Sequence, residues 1–60
     1  MNKIVKIIMD RDGYDYEEAI SILLDTKNMI DNCDDPEEAV EIFEEELGLE
    51  PDYIPYLMSL

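Results

Sequence analysis

Residues 34–48 read DDPEEAVEIFEEELG, and this stretch contains the start, the body and the end of one helix. Asp35 has the side chain of an N-cap residue, and Pro36 follows at the first helical position, where no amide hydrogen is needed. The two glutamates that come next place negative charge at the positive end of the helix dipole. Gly48 suits the left-handed conformation that commonly ends a helix. The sequence therefore predicts a helix between Asp35 and Gly48.

One side of this predicted helix is apolar and the other is acidic. The apolar residues recur three and four positions apart, as in a helix that packs one side on a core. We expect four side chains to face inward: Ala39, Val40, Phe43 and Leu47. The carboxylates project from the other side roughly every 5 to 6 Å along the helix. The candidate partner-binding residues are Asp34, Glu37, Glu38, Glu41, Glu44 and Glu45.

This acidic side belongs to a wider charge imbalance. From Asn28 to the end of the sequence there are eleven carboxylates and no Lys or Arg, and the net charge of the chain is −13. A soluble helix usually intersperses cations, because like charges four positions apart cost about a few tenths of a kcal/mol per pair. Such a surface repels nucleic acid and anionic lipid and attracts basic protein patches. It is either a solvated face that provides solubility or a DNA-mimic-like surface that binds a basic partner.

A second helix is predicted from Tyr16 to Asn32. Asp15 is placed as its N-cap, and Glu18, three residues later, completes the pattern of a capping box. The apolar residues of this segment spread over more than one stripe, which is wider than one neighbouring helix covers. A chain of 60 residues also buries too little surface to be very stable alone. We therefore expect a homodimer. Its predicted contacts are Ile4, Ile8, Ile22 and Met29.

Shorter apolar segments lie at the two ends of the chain. Residues 2–11 place isoleucines on one helical stripe, and Gly13 follows as a stop. Their β-branched content also suits a strand, but no second strand-like run is present to pair with it, so we predict a helix. The C-terminal segment allows a short helical turn that begins near Asp52. We expect its apolar residues to pack on the core: Tyr53, Ile54, Leu57 and Met58.

Together these segments predict an all-α fold, a compact bundle of three helices plus a short C-terminal helical turn, in a single domain of residues 1–60. The apolar run from Ile4 to Met9 is six residues long, whereas about 18 or more are needed to cross a bilayer. No cleavage-type segment follows it. We expect a soluble, cytoplasmic protein that binds neither membrane nor nucleic acid directly.

Residues that usually carry catalysis or hold metals are scarce. The chain has no His and a single cysteine, Cys33, which excludes an internal disulfide and disfavours zinc. We expect Cys33 to be a small buried hydrophobe near a helix end. Residues 10–15 alternate acids like a calcium loop, but when Gly13 is set on the invariant glycine, Ala19 occupies the place of the bidentate glutamate. We predict no enzyme activity, no metal and no cofactor.

Three segments carry a resemblance to a known group of proteins. They are RDGYDYEEA at 11–19, DPEE at 35–38 and ELGLEPDYI at 46–54. In these segments the chain resembles short acidic proteins encoded by bacteriophages, prophages and other mobile elements of Firmicutes. Some similar small phage proteins inhibit host defence systems by occupying nucleic-acid or subunit surfaces. The resemblance implies a place in the host cytoplasm and brings no catalytic residues with it.

Charge and resemblance together favour one function. We expect a non-enzymatic modulator or inhibitor that docks its acidic helix on a basic surface of a host nucleic-acid-processing or anti-phage defence protein. One alternative is a structural or assembly module that works through an apolar dimer or partner face. Another is an antitoxin-like protein that neutralises a basic toxin, and charge by itself does not separate these functions.

Overall fold

The computed structural model describes residues 1–60, and all its regular structure is helical. The elements are α1 (Lys3–Asp12), α2 (Tyr16–Asp31), α3 (Pro36–Leu47), a 3-10 turn (Pro51–Tyr53) and α4 (Ile54–Met58). The prediction of an all-α bundle of three helices with a short C-terminal helical turn is confirmed. Residues 2–11 form a helix and not a strand, and α2 ends one residue before the predicted Asn32, which is its C-cap.

Side chains just before α1 and α2 cap the first turns of these two helices. The Asn2 Oδ1 atom accepts a hydrogen bond from the Ile4 amide at 2.9 Å, and Asp15 Oδ1 accepts from the Glu18 amide at 2.8 Å. The structure forms only this half of the predicted capping box, since no bond joins the Glu18 carboxylate to the Asp15 amide. Each cap satisfies an amide that the helix itself leaves without an acceptor.

Two glycines end the first and third helices as predicted. Gly13 has φ of 75° and Gly48 has φ of 64°, both in the left-handed region that a residue with a Cβ atom rarely adopts. The Gly13 amide donates to the Met9 carbonyl at 3.0 Å, and the Gly48 amide donates to the Glu44 carbonyl at 2.8 Å. These bonds satisfy carbonyls in the last turns of the two helices.

The core draws side chains from all four helices. It consists of Ile4, Val5, Ile8, Ala19, Leu23, Phe43, Leu47 and Leu57. Of the residues expected to face inward from α3, Phe43 and Leu47 are fully buried, while Ala39 and Val40 are half-buried. Leu57 joins the core as expected, but Met58, which was expected to do the same, is 38% exposed. Met58 follows Leu57 directly, and a five-residue helix turns only one narrow side toward the core.

Two of the predicted dimer contacts are core residues instead. Ile4 is 0% exposed and Ile8 is 1% exposed, because the chain's own helices cover them. These side chains have no surface left to contact a second copy, so the prediction that they lie in a dimer interface was wrong. Ile22 is half-buried and Met29 is 39% exposed, so these two keep some free apolar surface.

Three polar contacts hold the C-terminal segment to α1 and α2. The Asn2 Nδ2 atom donates to the Tyr56 carbonyl at 2.8 Å and to Ser59 Oγ at 3.2 Å. The Lys27 ammonium donates to the Leu60 backbone oxygen at 3.0 Å. These contacts supplement the burial of Leu57 in a helix that has no side-chain cap of its own. None of the helices combines the length and the apolar character that a membrane crossing requires.

Candidate acidic interface

The predicted partner-binding carboxylates are exposed and belong to one continuous part of the chain. Asp34 lies in the turn before α3, and the other five project from α3 itself: Glu37, Glu38, Glu41, Glu44 and Glu45. At 3.6 residues per turn these five glutamates lie within about 120° of the helix circumference. The buried side chains of Phe43 and Leu47 lie on the other side. We call these five glutamates the acidic face of α3.

The turn between α2 and α3 sets where the acidic face begins. Asp35 Oδ1 accepts from the Glu37 amide at 3.0 Å, so this carboxylate caps the helix and is not part of the face. The Asp35 carbonyl accepts from the Ala39 amide at 3.0 Å and from the Cys33 thiol at 3.3 Å. Cys33 was expected to be buried, but it is only half-buried. Its thiol therefore contributes to the local hydrogen bonds of the turn.

No cation of the chain forms an ion pair with the acidic face. The two ion pairs both lie in α1, where Lys6 approaches Asp10 at 3.7 Å and Arg11 approaches Asp12 at 2.8 Å. The other two cations are also engaged elsewhere. The Lys27 ammonium binds the Leu60 oxygen, and the Lys3 ammonium lies over two tyrosine rings. The glutamates of the face therefore have no ion-pair partner within the chain.

The arrangement of charge on α3 opposes the stability of the helix. Glu44, Glu45 and Glu46 occupy its last turn, which has no basic residue, and negative charge there is unfavourable by about 0.3–1 kcal/mol per group at low salt. Like-charge pairs four residues apart, such as Glu37 with Glu41, add about 0.2–0.5 kcal/mol each. The nearest favourable contact is weak, since Arg11 Nη1 lies 3.5 Å from the Gly48 carbonyl oxygen. The first turn alone, with Glu37 beside the positive end of the dipole, is electrostatically favourable.

The acids around Gly13 serve the local structure. Asp12 accepts two hydrogen bonds from the Arg11 guanidinium, at 3.0 and 2.8 Å. These bonds lower the pKa of Asp12 and raise the pKa of Arg11. Asp15 caps α2, and Asp10 pairs with Lys6. Each carboxylate of this segment therefore has its own partner. No three potential metal ligands converge anywhere in the structure, and the surface has no pocket.

The structure also exposes apolar residues that were not selected as site residues from the sequence. Tyr16 is 53% exposed and Leu24 is 46% exposed, and with the half-buried Ile20 they follow one another at four-residue spacing along α2. That spacing was visible in the sequence. It did not distinguish these side chains from the many other apolar residues of α2, because burial depends on where the neighbouring helices lie.

Comparison with known protein families, with curated proteins and with solved structures gave no match to this chain.

Proposed function

We propose that this protein is a non-enzymatic modulator of the phage type, which docks the acidic face of α3 on a basic surface of a host nucleic-acid-processing or defence protein. The observation that carries the proposal is the row of five exposed glutamates without any cation of the chain in contact. The proposal is further supported by the cost of this row to helix stability, because a solvated face serves equally well with interspersed cations.

The charge density of the acidic face is close to that of a nucleic acid strand. Glu37 and Glu45 lie eight residues apart, or about 12 Å along the helix axis. Five carboxylates over this length give one charge per about 3 Å, compared with one per about 3.4 Å along a single strand of duplex DNA. A basic surface that binds a phosphate backbone would therefore meet a similar row of charges. Binding of this kind is steered over long range and is weakened by salt.

Charge reversal on the acidic face tests the proposal. A Glu37→Lys, Glu41→Lys, Glu45→Lys variant is compared with a control variant, Glu18→Lys, Asp25→Lys, Asp52→Lys, which makes the same change in net charge outside α3. The three control acids are exposed and make no side-chain hydrogen bond or ion pair. Tagged protein is used to capture partners from bacterial lysate, with and without competitor DNA, and circular dichroism checks that both variants are folded.

We expect wild type and the control variant to capture a DNA-handling or defence protein that competitor DNA displaces. The α3 variant is expected to lose it. Equal capture by the two variants would mean that the acidic face does not bind the partner and only provides solubility. Equal loss in both variants would mean that only the net charge matters.

The alternative is an assembly module that works through apolar surface on α2. It is favoured by Met29, which is 39% exposed, beside the half-buried Ile22. A homodimer through these residues would join two chains that each carry a net charge of −13, so its association would strengthen as salt screens the repulsion. Docking by the acidic face weakens with salt instead. Sedimentation at low and high salt separates the two functions. An antitoxin-like protein would also bind through its negative charge, so the identity of the captured protein distinguishes this role from the first proposal.

A further inference from the structure

One flank of α2 carries a row of apolar side chains that the rest of the chain leaves partly uncovered. The row consists of Tyr16, Ile20 and Leu24, which follow one another four residues apart and so lie next to each other on the helix surface. Tyr16 is 53% exposed, Leu24 is 46% exposed and Ile20 is half-buried. From end to end the row measures about 12 Å, or somewhat more than two helical turns. We call it the apolar row of α2.

Uncompensated negative charge lies beside this row. Glu17 is three residues before Ile20, and Asp31 is seven residues after Leu24, so both share its side of the helix. Both are exposed, and neither forms an ion pair. The single cation of α2, Lys27, donates to the Leu60 oxygen at 3.0 Å. The flank therefore combines apolar surface with unpaired anions and offers no free cation.

A second copy of the chain is a poor complement to this flank. It would bring another apolar row, but each of its cations already has a partner within its own chain. These pairs are Lys3 with the rings of Tyr53 and Tyr56, Lys6 with Asp10, Arg11 with Asp12, and Lys27 with Leu60. Two chains of net charge −13 also repel one another. The complement that fits has apolar residues for the row and free cations for Glu17 and Asp31.

We propose that the apolar row of α2 binds a basic amphipathic helix of a partner protein. Side chains four residues apart form a ridge that packs into the groove of a second helix, so a helix matches the row better than an extended strand does. The apolar side of the partner helix covers Tyr16, Ile20 and Leu24. Its Lys and Arg residues, placed on both sides of that apolar stripe, face Glu17 and Asp31. This surface lies on α2 and is additional to the acidic face of α3.

Two synthetic peptides test the proposal. The first is a helical probe of about 18 residues with Leu at four-residue spacing over two turns and with Lys and Arg on both sides. The second has the same composition in scrambled order, so it keeps the charge and loses the stripe. Fluorescence anisotropy in about 0.15 M salt measures the binding of both peptides to the full chain, because surface charge is largely screened there beyond about 8 Å.

Variants locate the contact. Leu24→Ser and Tyr16→Ser each remove part of the row, and Met58→Ser removes a side chain on α4 that is 38% exposed and serves as the control. We expect the striped peptide to bind about tenfold more tightly than the scrambled one. We expect each row variant to reduce binding of the striped peptide about fivefold, as the loss of half a buried side chain implies, while Met58→Ser leaves it unchanged.

Three results would overturn the proposal. The first is equal affinity for the striped and scrambled peptides, which would mean attraction by charge alone. The second is an equal effect of Leu24→Ser and Met58→Ser. The third is a dimer in sedimentation that Leu24→Ser dissociates, because a second copy would then cover the row. The Glu37→Lys, Glu41→Lys, Glu45→Lys variant keeps the row, so its preference for the striped peptide is expected to survive whatever becomes of the α3 interface.

Discussion

The side chain of Asn2 joins the first helix to the last, because its Nδ2 atom donates to the carbonyl of Tyr56 at 2.8 Å while its Oδ1 atom caps α1. The two residues are 54 positions apart in the chain. One carboxamide therefore satisfies the start of a helix and ties down the C-terminal segment. The finding accounts for how a five-residue helix without a cap of its own keeps Leu57 in the core.

Substitutions at Asn2 separate its two roles. Asn2→Ala removes both the cap and the contact with Tyr56, and we expect it to lower the free energy of unfolding by about 1–2 kcal/mol. Asn2→Asp keeps the cap acceptor and loses only the donor, so it should cost about half as much. Urea unfolding followed by circular dichroism measures both. Equal losses in the two variants would show that the contact with α4 carries the whole effect.

Phe43 tests how much of the fold depends on the inner side of α3. The residue is completely buried, and Phe43→Ala should cost about 3–5 kcal/mol through lost burial and a cavity. In a domain of 60 residues this is enough to abolish cooperative thermal unfolding. Phe43→Leu, which keeps most of the volume, is expected to remain folded with a lower melting temperature. A folded Phe43→Ala protein would contradict the burial of this ring in the core.

Salt should stabilise the isolated protein. The net charge of −13 repels itself within a compact chain, and the repulsion is screened as the Debye length falls from about 30 Å at 0.01 M to about 10 Å at 0.1 M salt. We expect the melting temperature to rise over this range. The Glu37→Lys, Glu41→Lys, Glu45→Lys variant should show a smaller rise, since it removes like-charge pairs on α3. A melting temperature independent of salt in both proteins would contradict the electrostatic cost of the acidic face to helix stability.

The pair of Arg11 and Asp12 predicts a local response to acid. Its hydrogen bonds lower the pKa of Asp12 below the ordinary value of 3.8. Because the folded-state pKa is the lower one, the contribution of this group to stability is present above pH 3.8 and is lost as the pH falls through the folded-state value. Both side chains are partly exposed, so the contribution is small.

Carboxyl-carbon NMR titration of Asp12 measures this shift directly. Arg11→Gln should return the pKa of Asp12 toward its ordinary value, whereas Lys6→Gln, which removes the same charge six residues before Asp12, should leave it lowered. An unchanged pKa of Asp12 in the Arg11→Gln variant would show that the hydrogen bonds from Arg11 do not cause the shift.

Much of the secondary structure was predictable because its signals are local. Asp15, Asp35 and Gly48 each act on backbone groups within four residues of themselves, so adjacent sequence decides these helix ends. The acidic face was predictable for a similar reason. Where no Lys or Arg occurs in the second half of the chain, no folding of that half can pair its carboxylates locally.

The covering of apolar side chains was decided by the tertiary structure. Helical spacing in the sequence shows which side of a helix is apolar, but it does not say whether another helix of the same chain or a second protein covers that side. The packing of the four helices buries Ile4 and Ile8 and leaves Tyr16, Leu24 and Met58 partly exposed. Contacts between distant residues, such as Asn2 with Tyr56, have no local signal at all.

By itself, therefore, the sequence determined the helical class, the helix ends and the one-sign charge of α3. Helix caps and glycines act on backbone groups only a few residues away, and the absence of cations from this part of the chain does not depend on how the chain folds. The tertiary structure alone decided which apolar side chains form the core, where Lys3 and Lys27 find their partners and which apolar row stays uncovered on α2. These outcomes depend on how helices far apart in the chain meet in space, since burial is a property of the packed molecule and not of any one segment.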